Sequence, residues 1–308
     1  MSKEIPPFFA LVGPTASGKS QIALELAKLI PLEIISADSM QVYRGMDIGT
    51  AKPSVEEQKL IPHHTINLVE INHIFDTAEY LRHAQIAEEK IVSNGKLPLY
   101  AGGTGLYIRA LRYGLESNLP RNDHLREELE DLPLDELQEK VAFFGVHGLN
   151  QSDWKNKRRL IRAVEICSHE GKSLVECRTS WQGKGRSGIV FCLDRDMDEL
   201  TRRINHQIDQ MMGEGLVDEV RNLLEKGLIH NPVAMQAIGY KEVVTHIEGK
   251  ASLDECVLEI KIKTRQFAKR QKTWFSKETD MKLITLAPES SMALAAAQIA
   301  RDIENYDA

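Results

Sequence analysis

Cysteine is scarce in this 308-residue chain: Cys167, Cys177, Cys192 and Cys256 are too widely spaced for a zinc-ligand pattern. Nothing asks for an oxidising compartment, so reduced thiols are expected. No charged-then-apolar leader opens the sequence and no apolar run approaches a membrane span, which points to a cytoplasmic protein without a membrane partner. A positive excess is missing too. Against 39 Lys and Arg stand 45 Asp and Glu, a net charge of −6, so contact with a polyanion would have to come from local patches. Internal repeats and low-complexity tracts are absent. The remaining composition, 42% hydrophobic and 27% charged, is that of an ordinary globular protein, long enough for one sizeable α/β domain and a smaller lobe.

What the chain does have is Gly13-Pro14-Thr15-Ala16-Ser17-Gly18-Lys19-Ser20, two glycines at the spacing of a phosphate-binding loop, followed by Lys and Ser. The apolar run Phe8 to Val12 before it reads as a buried parallel strand. Ile22, Leu24, Leu26, Leu29 and Ile30 after it recur at helical spacing. The glycines let successive N–H groups converge on one anion at a helix start, Lys19 adds a point charge, and the Ser20 hydroxyl can hold Mg²⁺. The pattern implies a bound phosphate or diphosphate without saying which.

Further along, Leu32 to Ser36 reads as a strand that delivers Asp38, Ser39, Met40 and Gln41 past its carboxyl end, where open α/β sheets bind ligands. Arg44 to Pro53 reads as a loop, and a helical pattern runs from Ala78 to Ile91. A third strand, Leu97 to Ala101, empties into Gly102-Gly103-Thr104-Gly105. If the three strands are parallel and adjacent, their ends line one crevice. Asp38 has two readings, turn former or general base beside a bound diphosphate, and Thr104 likewise, turn hydroxyl or ligand donor. His63-His64 is read as structural rather than as a metal pair, because adjacent side chains of a strand point apart.

Composition shifts at Gly114 to Pro120 and Gln182 to Gly188 mark linkers around helical patterns, so residues 117–186 read as an all-helical insertion domain. The core, 1–116 and 187–308, resumes with a strand at Ile189 to Leu193. A capping box, Asp196 with Glu199, then opens a long helix. Helices follow at Val217 to Glu225, Met235 to Ile247 and Leu253 to Lys277, with a last strand Met281 to Leu286. The predicted fold class is α/β: a P-loop core with a parallel sheet flanked by helices, plus the insertion.

Two basic stretches qualify the negative total. Ile260 to Lys277 carries seven basic residues and no acidic one, interleaved with Phe267, Trp274 and Phe275; the insertion carries Lys155, Lys157, Arg158, Arg159 and Arg162. Such stretches suit an RNA backbone, with aromatics to stack on unpaired bases, although a single charged run is commonly a solvated helix face.

Taken together, Gly13 to Ser20, Asp38 to Pro53, Pro62-His63-His64, Ala101 to Tyr107, Ala237 to Glu242 and Ala268 to Phe275 resemble the tRNA dimethylallyltransferase family, in order and at its spacing. Ser20 stands where Thr is commoner, Asn67 where Asp often follows the His pair, and Asn150 to Lys157 fits loosely. No Cys/His finger follows Phe275, so the resemblance is to the short bacterial form. It implies transfer of a dimethylallyl group from dimethylallyl diphosphate to the exocyclic 6-amino group of the adenosine 3′ to the anticodon of tRNA. It further implies Mg²⁺ at Ser20, with Asp38 as base and Arg203 and Thr104 beside the reacting groups. Thr15 to Gly18 would cradle the diphosphate. The tRNA contacts would be Asp38 to Gln41, Thr104, Arg126, Arg158, Arg159, Leu160, Ile161 and Arg162, with the chain acting as a monomer. Two rivals stay open: a P-loop kinase using Asp194 to support a metal, and an isopentenyltransferase acting on free adenine nucleotides.

Overall fold

A run of five apolar residues with no polar break can bury both faces, and Phe8–Val12 (β1) does so at the centre of a parallel sheet. The computed structural model describes residues 6–115, 122–145, 149, 151–171, 176, 185–278 and 280–306. Cys177, most of the first expected linker and the start of the second lie outside them. Among the described residues six strands form one sheet, ordered β3-β2-β4-β1-β5-β6. They are β1, Leu32–Ser36 (β2), His63–His64 (β3), Leu97–Gly102 (β4), Gly188–Asp194 (β5) and Met281–Thr285 (β6). Every pairing is parallel. The register sets Val12 against Gly102 and Ser36 against Ala101. The carboxyl ends of β1, β2 and β4 therefore finish at one level, as the crevice requires.

Helix Lys19–Ala27 (α1) buries Ile22, Ala23 and Leu26 in a core shared with β1, β2, β4 and β5 and with Ala296, Ile299 and Ile303 of the C-terminal helix Met292–Glu304. Each large aliphatic side chain removed from water there contributes about 1.5–3 kcal/mol. Two sequence expectations are corrected. The box at the long helix Met197–Glu214 is half formed: Asp196 accepts from the N–H groups of Asp198 and Glu199, but the Glu199 carboxylate turns to Arg202, at 2.7 Å. The helix expected over Met235 to Ile247 begins only at Tyr240, because the chain turns through Gly239 at φ 103°.

The chain divides into two compact units. One comprises Met1–Ile108 and Arg186–Ala308, the other Arg109–Gly185. The second is helical, with a core of its own built from Leu129, Leu137, Val141, Leu160, Ile161 and Val164. Among the described residues no helix is long and apolar enough to cross a membrane.

Candidate active site

The phosphate loop is shaped by positive φ angles and gripped from one side. Gly13 adopts φ 148° and Gly18 φ 103°, and a Cβ on Gly13 would stand 2.9 Å from the Leu193 carbonyl. Ala16, a non-glycine, is held at φ 60°, a conformation that the surroundings must enforce. Two guanidiniums do this. Arg203 Nε donates to the Ala16 carbonyl at 2.7 Å and Arg195 Nε to the Ser17 carbonyl at 2.9 Å. Since the peptide is planar and trans, a carbonyl held on one side turns the following N–H to the other. The Gly18 amide and the first amides of α1, which lack intrahelical partners, are thereby left for an anion.

Across from the loop, Asp38 lies two residues beyond β2. Its Oδ1 accepts from the Met40 N–H at 2.8 Å and the Gln41 N–H at 3.4 Å. Thr104 accepts the Ser39 N–H at 3.1 Å and gives its own N–H to the Ala37 carbonyl. The backbones are pressed together here: a Cβ on Gly102 would sit 2.1 Å from the Ala37 oxygen. A cavity of about 580 Å³ is lined by Thr15, Ala16, Gly18, Lys19, Ser20, Asp38, Gln41, Gly102, Gly103 and Arg203 together. Three strand ends thus meet at one hollow, with Thr104 supporting it from behind Ser39.

Charge inside the cavity is tuned by burial. Desolvation takes the Lys19 ammonium down to about 8, against the opposing pull of Asp38 and Cys192. Lys19 meanwhile donates to the carbonyls of Gly13 (3.0 Å) and Pro14 (2.7 Å). Burial also raises the Asp38 carboxyl, and its two backbone donors together with Lys19 and Lys52 only partly offset this. A carboxylate raised in this way is a better proton acceptor.

The segment from Arg44 to Pro53 is a loop, as expected, but a fixed one. The Lys52 ammonium, its side chain 2% exposed, holds the Tyr43 carbonyl, Asp47 and the Asn67 amide oxygen, each at 2.7 Å. The Glu219 carboxylate accepts from the N–H groups of Asp47, Ile48 and Gly49 and from the Tyr240 hydroxyl, the last at 2.6 Å. His64 Nε2 faces Glu33 at 2.6 Å and His63 Nδ1 faces the Ile61 carbonyl, the structural roles anticipated for the pair.

The basic stretches are less open than their composition implies. In the helix Leu253–Phe275, Lys261 pairs with Asp209, Lys263 with Glu242, and Lys272 with Asp194, while Arg265 donates to Asn205. Phe275 is buried and so not available for stacking, Trp274 is half-buried against Gly105, and Phe267 lines the cavity. Asp194 is paired with Lys272 at 2.7 Å, so its carboxylate is engaged by an ammonium, which disfavours the metal-supporting role of the kinase reading.

In the helical unit, Arg126 and Arg162 converge on the buried Glu165, and Arg159 pairs with Asp153. Leu160 and Ile161 are buried in that unit's core, so these two expected RNA contacts cannot be made by side chains. Burial opposes ionisation of Glu165, but the Arg126 guanidinium, the Asn122 N–H and Arg162 outweigh it and hold the carboxyl at about 2. The stability this lends is full above the ordinary carboxylate range and is lost as pH falls toward 2. Glu165→Gln is expected to cost about 1–3 kcal/mol by replacing charge-assisted hydrogen bonds from two partly exposed guanidiniums with neutral ones. Hydrogen exchange of the Lys157–Glu170 amides at pH 7 should accelerate accordingly, and unchanged exchange would refute the role.

Sequence reasoning missed Arg195, Gln271 and Glu219. Gln271 left a trace: with Ala268 and Phe275 it occupies the buried stripe of its helix, a polar residue at apolar spacing.

A parallel sheet whose central strand ends in an anion-binding loop, faced by a desolvated carboxylate, defines a P-loop enzyme core. Its particular kind follows from comparison with known proteins. The IPP transferase family model matches residues 41–278, and the isopentenyl transferase model residues 6–72. A tRNA dimethylallyltransferase of Citrifermentans bemidjiense is 40% identical over 273 residues, 88% of this chain and 89% of its own length. A solved tRNA isopentenylpyrophosphate transferase from Staphylococcus epidermidis is 35% identical, with TM-score 0.71 over 97% of this chain and 99% of that one. A eukaryotic dimethylallyltransferase acting on tRNA aligns at TM-score 0.80 with 26% identity, over 98% of this chain and 79% of that one. The chain belongs to the tRNA dimethylallyltransferase (IPP transferase) family of enzymes.

Proposed function

We propose that the chain transfers the dimethylallyl group of dimethylallyl diphosphate to the exocyclic 6-amino group of the adenosine on the 3′ side of the anticodon in tRNA. The observation that carries this reading is the shared cavity of Asp38 and the phosphate loop. The adenine amine is a weak nucleophile because its lone pair is delocalised into the ring. Asp38 accepts one amine proton while the N–C bond forms, the allylic C–O bond breaks, and diphosphate departs. Negative charge grows on the leaving oxygens, where Arg203, Lys19 and the amides at the start of α1 stand preorganised.

The Ser20 hydroxyl lines the cavity beside Lys19, and among the described residues no group of three or more His, Cys, Asp and Glu is placed to hold a metal. This donor set fits Mg²⁺, which keeps most of its waters and takes its remaining ligands from a substrate's phosphates. Bound there, the ion would neutralise charge on the diphosphate.

The target base, lying in a loop of the tRNA, has to leave its stack to reach the hollow, which Gln41 lines beside Asp38 while Thr104 holds the Ser39 N–H. Arg158 and Arg159, exposed on their helix, and Arg126 and Arg162, still partly exposed, supply phosphate contacts in the helical unit. Every group this chemistry uses comes from one copy of the chain, which suits a monomer.

Incubation with Mg²⁺, labelled dimethylallyl diphosphate and either whole tRNA or AMP tests the reading. Label is expected in tRNA alone; label in AMP would transfer the assignment to the free-nucleotide enzymes.

A further inference from the structure

Gln271 is the one side chain among the described contacts that bonds to both glycine-rich turns. Buried in the helix Leu253–Phe275, it accepts the Thr15 N–H through Oε1 at 2.9 Å and donates through Nε2 to the Gly103 carbonyl at 2.9 Å. Contact is so close that a Cβ on Gly103 would stand 2.3 Å from Nε2. The connection continues: Thr104, the next residue, holds the Ser39 N–H, beside Asp38. One amide side chain therefore ties the loop that grips the leaving group to the turn that supports the base. It also uses the Thr15 N–H, so the row of amides open to an anion begins after that residue.

We propose that Gln271 is a positioning residue for prenyl transfer: its two hydrogen bonds fix the separation between the bound diphosphate and the Asp38 carboxylate. The inference rests on the transferase reading above. An amide suits this place because one end must accept and the other donate, which the isosteric glutamate can do only when its carboxyl is protonated. Misalignment of reacting groups by about 1 Å costs on the order of 10²-fold in rate, while the amides and Lys19 that bind diphosphate stay in place.

Two near-isosteric variants test it, with competent sites counted by titration with inorganic diphosphate so that unfolded protein cannot mimic the effect. Gln271→Met removes both bonds; kcat per titrated site is expected to fall about 10–100-fold, with KM for dimethylallyl diphosphate changing less than about threefold. Gln271→Glu keeps the acceptor but sets a carboxylate oxygen against the Gly103 carbonyl. Burial raises the pKa of the introduced carboxyl, and once protonated it can donate to Gly103 as the amide does. The ratio of this variant's rate to that of the parent should therefore climb as pH is lowered from 8 to 6, whereas the methionine variant's ratio stays flat. An unchanged kcat for Gln271→Met, or a pH-independent ratio for Gln271→Glu, overturns the proposal. If the parent itself does not prenylate tRNA, it is the functional reading that falls.

Discussion

Asp38→Asn is expected to lower prenyl transfer by about 10³-fold, within the range that a positioned general base contributes. The substitution is close to isosteric, and Oδ1 can still accept from Met40 and Gln41, so the turn after β2 should survive. What disappears is the capacity to take a proton from the adenine amine. Inorganic diphosphate should bind as well as before or slightly better, because a negative charge near Lys19 has been removed. In the parent, activity should decline as pH falls through the raised Asp38 pKa, at a higher pH than an ordinary aspartate would give; the residual rate of the variant should lack that limb. Asp194→Asn is the comparison, since Asp194 is engaged by Lys272. It should retain transfer to within about tenfold, the loss of one partly exposed ion pair being small. Equal damage from the two substitutions, measured in single-turnover reactions, would contradict the assignment of the base.

Lys19→Met should weaken inorganic diphosphate binding by about 100-fold, the scale of one charge-assisted hydrogen bond in a desolvated site. The pH dependence gives a sharper signature. With its pKa lowered to about 8, Lys19 is charged below that pH and progressively neutral above it. Diphosphate affinity should be level below about pH 8 and then fall by up to tenfold per pH unit, whereas the methionine variant shows only the titration of the ligand itself. Folding stability moves the other way. Between about 8 and the ordinary lysine value the unfolded chain binds more protons than the folded one, so this group makes stability rise with pH while ligand affinity declines. Isothermal titration at fixed ionic strength from pH 7 to 9.5, set against chemical denaturation over the same range, would separate the two. Parallel trends would mean that Lys19 is not the titrating group.

The parts of this molecule that could be read from its sequence are those specified by near neighbours. An unbroken apolar run, a glycine spacing and a helical stripe lie within thirty residues of one another, and they placed β1, the phosphate loop and α1 correctly. Asp38 could be placed at the crevice, its role left open, because a strand end in an α/β sheet is itself positional information. Arg195 and Gln271 escaped because what they do is set by partners 178 and 256 positions away. The basic helix was overread for a related reason: a count of charges records sign, not company, and Lys261, Lys263 and Lys272 already have carboxylates facing them. Leu160 and Ile161 show the same limit, since a motif match does not distinguish the residues facing a substrate from those packing behind it.

The contact at Glu219 has a wider meaning. Three successive amides, Asp47 to Gly49, converge on one carboxylate, so this protein contains a second anion receptor whose guest is covalently part of the chain. The two differ in what fills them: one is plugged by the chain's own carboxylate and fastens the loop, while the other opens into the cavity. The same backbone physics thus serves both to fasten a loop internally and to leave a pocket ready for an anion from outside.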